Sequence, residues 1–345
     1  MRLILTLLAF LAFGTTGSAA MPATEVTGAG STFAYPFLSK AFRAYGNVHP
    51  DVTVSYQPIG SGGGIEHFTT KTVDFGASDV PMDADELSRA KDPVLQVPVT
   101  LGGVGIAYNL HGIPKGLHLT RDVVANIYLG KITKWNDPAV AGLNPDINLP
   151  ATPITVTYRS DDSGTTYIFT DFLSHVSPTW KQEVGTGKAV SWPASGSVGG
   201  KGNAGVADAV RRTPGAIGYV ELSYLLKNNM AYALLQNKAG KYVYPDIATV
   251  AAAAATKAGV SSTDFSIVDA AGEESYPISG YSWLLIYKKP AEAQLGLSVK
   301  QMTDWLVTEG QSIAKSVDYV PLPDNVREQA EKILNQMEVN SEAGR

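Results

Sequence analysis

Arg159, Asp161, Asp162, Ser163, Gly164 and Thr165 stand together in "RSDDSGTT", and Asp79 stands in "VDFGASDVPMD". Arginine carries a permanent charge, and its fork of donors suits two oxygens of a tetrahedral anion. Asp161 is spaced to meet the same guanidinium, fix its rotamer and partly offset its charge. A surface Arg–Asp contact at a helix start is the plainer reading of that pair. Asp79 reads either as a loop or capping aspartate ahead of "MDADELSRA", or as an acceptor inside an anion site. A carboxylate opposes an anion unless the anion carries a proton, as hydrogen phosphate does and sulfate at neutral pH does not. Like charges forced together cost several kcal/mol, so one such residue can discriminate by about a thousandfold.

These residues need elements to hold them. "ITVTYR" alternates like a strand that ends at Arg159, and Ile168, Phe169, Phe172, Leu173 and Val176 form a helix face after Thr165. "VTVSY" runs as a strand from Val52 to Tyr56 into Gly60-Ser61-Gly62-Gly63-Gly64, followed by a short helix in "IEHFTT". "TGAGST" ends at Thr32, a residue of the N-cap region, and Phe33, Phe37, Leu38, Ala41, Phe42 and Tyr45 follow at helical spacing. Three segments thus share one plan: a strand, a small polar Gly-rich turn, an amphipathic helix. The exposed N–H groups and macrodipole of a helix start favour an anion, and Ser or Thr hydroxyls add donors.

Strands alternating with helices give the α/β class. Strand-like runs at Gly102–Leu110 and Ser282–Lys288 suggest that the chain crosses between two domains there. That gives a discontinuous first domain, residues 21–104 plus 283–345, and a second over 105–282. The alanine run Ala251–Ala255 reads as a surface helix, and "NSEAGR" as a frayed tail.

Residues 1–20 combine a basic start at Arg2, an apolar run and small residues ending at Ala20, the pattern of a secretory signal peptide. The chain has no cysteine, which closes off a lipid-anchored N-terminus, disulfides and thiolate metal sites. Without residues 1–20 it has 26 basic against 32 acidic residues and no basic block, which argues against nucleic acid. An anion site must then rely on local donors.

"TGAGSTF", "PIGSGGG", "TVDFGASDVP", "LGKITKWND", "DDSGTT", "VGTGKAVSWP", "GGKGN" and "PGAIGYVE" occur in the order of a known family. From Thr27 to the tail the chain resembles the periplasmic phosphate-binding proteins of the phosphate-specific ABC importer. The resemblance implies a two-domain α/β "Venus flytrap", each domain a mixed sheet flanked by helices, with phosphate buried in the cleft. It implies ligand contacts from Thr32, Phe33 (by its backbone N–H), Ser61, Asp79, Arg159, Ser163, Gly164 and Thr165, with Asp161 holding Arg159. It further implies no cofactor, membrane permease subunits as partners, a periplasmic location and a monomer. Two positions depart from the family pattern. Asp162 stands where glycine is frequent, so its carboxylate must point to solvent or weaken binding. Gly62 stands where some relatives carry serine, losing a hydroxyl while leaving the backbone donor.

The main rival class is a phosphate-handling enzyme. The chain has no G-x-x-x-x-G-K-[S/T] and no G-x-S-x-G, and its five histidines show no ligand spacing. A binder of another oxyanion is a second rival, for which Asp79 is the discriminator. Lys201-Gly202-Asn203 reads either as a contact to the ligand region or, more plainly, as shaping a helix start, and Trp135 and Trp192 as packing residues.

Overall fold

The computed structural model describes residues 23–339. The expected signal over 1–20 and the tail from 340 lie outside them. The chain opens with β1 (Thr24–Gly30), α1 (Tyr35–Val48), β2 (Val52–Pro58), α2 (Ser61–Thr69), β3 (Phe75–Ser78), α3 (Ala84–Ala90) and the long strand β4 (Val94–Tyr108). Next come β5 (Leu117–Leu119), α4 (Arg121–Tyr128), α5 (Pro138–Ala141), β6 (Thr155–Arg159), α6 (Gly164–Val176) and α7 (Pro178–Glu183). They lead to β7 (Val198–Gly200), α8 (Gly202–Arg212), β8 (Ala216–Glu221) and α9 (Leu222–Lys227). β9 (Ala231–Gln236), β10 (Tyr242–Val243) and α10 (Ile247–Ala255) precede the return strand β11 (Ser279–Tyr287). α11 (Ala293–Val307), a 3-10 helix (Glu309–Val317) and α12 (Asp324–Leu334) close the described chain.

The strands run β2-β1-β3-β11-β4-β8-β6-β7. β2, β1 and β3 are mutually parallel, as are β8, β6 and β7; β11 is antiparallel to β3 and β4. β4 joins the two parallel sets. Val94–Gly103 pairs with β11, and Val104–Tyr108 pairs with β8. Parallel strands joined through helices put turns and helix starts at the strand ends.

The helix face of α1 is buried as its spacing predicts, at Phe37, Leu38, Ala41, Phe42 and Tyr45. Burying each large apolar side chain contributes about 1.5–3 kcal/mol. Trp135 is fully buried with its indole N–H on the Gly215 carbonyl at 2.9 Å, and Trp192 packs among Tyr128, Tyr158, Phe169, Trp180 and Tyr219. Both are packing residues.

Two expectations are corrected. The alanine run is not simply a surface helix: Val250, Ala253 and Ala254 of α10 are buried. β4 begins at Val94, well before Gly102. Pro98 makes that stretch read as a break, because proline cannot donate to a ladder. In the sheet it lies opposite Trp283, where the β4–β11 register shifts, and a bulge tolerates it.

Glu221 ends β8 opposite Val104, where β4 changes partner. It is fully buried, and its carboxylate accepts the Ser223 N–H at 3.0 Å and the Ser223 hydroxyl. Burial pushes its carboxyl from 4.5 up to about 8, against those bonds, which favour the ionised form. Between these values the folded chain holds a proton that the unfolded chain has lost. Glu221 therefore stabilises the fold most at low pH, and that stability is lost as pH rises towards about 8. The shift corresponds to something on the order of 5 kcal/mol. Glu221→Gln is expected to flatten the fall in stability between pH 5 and 8, read from urea unfolding midpoints against the wild type. Parallel slopes in the two proteins would refute a buried, protonated Glu221.

Candidate functional site

β1, β2 and β3 on one side, and β6, β7 and β8 on the other, present their carboxyl ends to one another. This is where α/β sheets usually bind ligands. Asp79 follows β3 directly and is 3% exposed. Its Oδ1 accepts the hydroxyls of Ser31 and, at 2.7 Å, Ser282; its Oδ2 accepts the Ser61 hydroxyl at 3.3 Å. Ser61 is the first residue of α2, and its Oγ also accepts the Asp79 N–H at 3.2 Å. Burial raises the Asp79 carboxyl above its ordinary value. The hydroxyls of Ser31 and Ser282, then the Arg159 charge and Ser61, pull it part of the way back.

Arg159 closes β6 and is 4% exposed, so the reading as a surface pair is ruled out. Its Nε and Nη2 donate to Asp161 Oδ1 and Oδ2 at 2.8 and 2.6 Å, and its Nη1 donates to Thr165 Oγ1 at 3.2 Å. Its backbone N–H donates to the Tyr219 hydroxyl at 2.9 Å. Asp161 also accepts the Gly202 N–H at 2.9 Å. Burial pushes the Asp161 carboxyl up, but the bonds and charge of Arg159 outweigh it and hold the group below its ordinary value. Three of the five guanidinium protons are committed, which leaves two.

Ser163 caps α6, its hydroxyl accepting the Thr166 N–H at 3.0 Å. Gly164 and Thr165 begin that helix, where backbone N–H groups have no partner within the helix. A Cβ on Gly164 would lie 2.5 Å from Ser61 Oγ and 2.6 Å from Asp79 Cβ, so only glycine lets α6 meet α2 and Asp79 here. Gly60 has φ 95°, and a Cβ there would fall 2.4 Å from Asp161 Oδ2.

Thr32 does not cap α1, which begins at Tyr35. The N-cap of α1 is Ala34, with no side-chain cap, and the Ser31 hydroxyl accepts the Ala34 N–H at 2.8 Å in the turn before the helix. Thr32 instead faces across. Its Oγ1 accepts the Asn203 backbone N–H and Nδ2, both at 3.2 Å, and its carbonyl accepts the Tyr224 hydroxyl at 2.8 Å. Asn203 Nδ2 also donates to Thr165 Oγ1 at 3.0 Å, and its Oδ1 accepts the Glu221 N–H at 2.9 Å. The Phe33 ring is buried edge-on to Tyr319, whose hydroxyl donates to the Phe33 carbonyl.

All eight expected contact residues, with Asp161, therefore fall in one buried cluster built from three helix starts and the end of β3. Sequence reasoning missed Ser31, Ser282 and Tyr219 as members. For Asn203, in "GGKGN", the bonds to Thr32 and Thr165 favour the alternative that places it beside the site over the plainer one of a helix start alone. Ser282 lies 203 positions from Asp79 in sequence and carries no local signal. Asp162 is exposed, as its carboxylate requires. The Gly62 N–H, expected as a spare donor, is taken by the Asp162 carbonyl at 3.0 Å.

Residues 16–336 match the PBP superfamily domain. The phosphate-binding protein PstS of Xylella fastidiosa is 44% identical over 89% of this chain and 84% of its own length. That of Haemophilus influenzae is 42% identical over 88% of this chain and 90% of its own. That of Methanocaldococcus jannaschii is 37% identical over 86% and 82%. Among solved structures, a phosphate-binding protein from Stenotrophomonas maltophilia superposes with a TM-score of 0.72 at 21% identity, covering 90% of this chain and 94% of that one. A putative phosphate ABC transporter substrate-binding protein from Clostridium perfringens with bound phosphate gives 0.64 at 20% identity, over 87% and 100%. These two likenesses bear on the fold, which is the mixed α/β fold of the periplasmic binding proteins. The extent and identity of the sequence matches bear on the family: the chain belongs to the PstS phosphate-binding proteins, binding proteins and not enzymes.

Proposed function

We propose that this protein binds inorganic phosphate between two lobes and delivers it to the membrane subunits of a phosphate ABC importer. The observation that carries this reading is the buried opposition of one acceptor, Asp79, and one permanent cation, Arg159, among three helix starts. The relatives named above, all described as phosphate-binding, support it.

In this reading the first lobe comprises 21–104 and 283–345, and the second 105–282. The change of partner along β4 at Gly103/Val104 and the register shift at Ser282/Trp283 support those crossings. Residues 1–20 are a cleaved export signal, and the mature chain is a monomer free in the periplasm. Among the described residues, no helix is long and apolar enough to cross a membrane.

Thr32, the Phe33 N–H and Ser61 approach the ligand from the first lobe. Arg159, Ser163, Gly164 and Thr165 approach from the second. Asp161 orients the guanidinium and partly neutralises it, so the site favours an anion without holding a bare buried charge. Asp79 takes the proton of hydrogen phosphate. Ser31 and Ser282 occupy its Oδ1 and Ser61 takes one site of Oδ2, which leaves the second site of Oδ2 as the acceptor. A fully ionised tetrahedral anion meets that oxygen as a repulsion. Ligand bridging the lobes shifts the population to the closed form and excludes water, which strengthens each charged hydrogen bond.

Two substitutions test the assignment by calorimetric titration of phosphate-stripped protein. A hydrogen bond to a charged group is worth about 1.5–3 kcal/mol, so Arg159→Ala is expected to weaken phosphate binding by about 10- to 150-fold. Affinity within twofold of the wild type would remove Arg159 from the site. Asp79→Asn keeps the shape and offers an N–H donor, so sulfate affinity is expected to rise by about tenfold or more. Continued exclusion of sulfate would move the selection to another group.

A further inference from the structure

Most bonds that join the two lobes lie at the site itself: Thr32 to Asn203 and Tyr224, and Gly62 to Asp162. One does not. Lys188 Nζ donates to Glu86 Oε1, linking residues 102 positions apart, with side chains 17% and 7% exposed. Among the described residues, the other ion pairs each lie within one proposed lobe. Glu86 and Lys188 make no recorded bond to Asp79 or Arg159.

Both residues are held rigidly by neighbours of the site. Glu86 is the third residue of α3, locked in a reciprocal capping pair. Its N–H donates to Asp83 Oδ1 at 2.8 Å, and its Oε2 accepts the Asp83 N–H at 3.0 Å. The segment that leads into α3 begins at Asp79. On the other side, the Lys188 carbonyl accepts the N–H of Ser163, the cap of α6, at 2.9 Å. The preceding residue, Gly187, donates to Thr170 Oγ1 of α6 at 3.1 Å and accepts from it at 3.2 Å. Neither partner can follow the other if the lobes part.

We infer that the Glu86–Lys188 ion pair is a latch that holds the lobes closed and sets the rate at which phosphate leaves, without touching the ligand. This deepens the proposed function and rests on it. A partly buried pair loses its solvation only in the closed form, so removing one partner leaves a buried, unpaired charge there and nowhere else. The penalty falls on closure alone, and apparent affinity falls with the closed fraction.

The test is the release of radiolabelled phosphate from loaded protein into excess unlabelled phosphate. Lys188→Met is expected to speed release by about tenfold and to change the association rate by less than about threefold. Lys188→Arg, which keeps the charge, is expected to retain slow release. Glu86→Gln is expected to match Lys188→Met, and the double substitution to exceed neither, because both remove one interaction. Wild-type binding with release from Lys188→Met within twofold of the wild type, or additive effects in the double variant, overturns the latch alone. A wild-type protein that fails to bind phosphate overturns the proposed function and the latch together.

Discussion

A guanidinium taken out of water must be paired or it costs the fold several kcal/mol. Arg159 sits at the end of β6 in the interior, and much of its surroundings follows from that. Asp161 turns back on it with two parallel bonds, a geometry that fixes the plane of the guanidinium as well as its charge. Asp161 in turn needs a donor for its remaining capacity and takes it from the first N–H of α8. The Tyr219 hydroxyl, between the Arg159 N–H and the Thr166 hydroxyl, anchors the backbone beneath. Gly60 has no side chain because the Asp161 carboxylate fills that space. One buried charge thus dictates residue types on β6, α2, α6, α8 and β8.

Asp79 is the counterpart. Three serines, from the turn after β1, from α2 and from β11, hold its carboxylate with hydroxyls, which can turn to donate. Arg159 pulls its proton affinity down while burial pushes it up. The group is neither a free surface carboxylate nor a bare buried charge. It is an acceptor with a fixed direction, set against helix starts that supply donors. In the proposed function, attraction comes from many weak, pre-placed N–H and O–H groups, and discrimination from one oxygen that can only accept.

Local chemistry was legible in the sequence; partnerships across the fold were not. Arg159, Asp161, Ser163, Gly164 and Thr165 fall within one turn, and turn residues report their own backbone. The periodicity of α1 and α6 gave their buried faces for the same reason. Ser282 and Asn203 are polar residues whose value depends on what the sheet places opposite them. Thr32 and Ser31 are both small hydroxyl residues beside a helix start, and only the direction of the chain decides which one braces the turn and which one faces across. Pro98 hid half of β4, because a bulge that accepts proline exists only once β11 has paired. The buried alanines of α10 likewise depend on the sheet beneath.

Gly62 and Asp162 read along the chain as two separate departures from the family pattern. In the fold they are one contact. A Cβ at position 62 would lie 2.2 Å from the Asp162 Cβ, so glycine on one side makes room for a side chain on the other. Asp162 turns its carboxylate to solvent and its carbonyl to the Gly62 N–H. A serine at 62 opposite Asp162 would wedge the two helix starts apart, whereas a glycine at 162 would leave a gap beside Gly62. The pair therefore exchanges a hydroxyl and a backbone donor of α2 for a main-chain bond that joins α2 to the turn before α6. Under the proposed function, α2 then offers the ligand fewer donors, and more of the binding strength depends on how firmly the two sides meet.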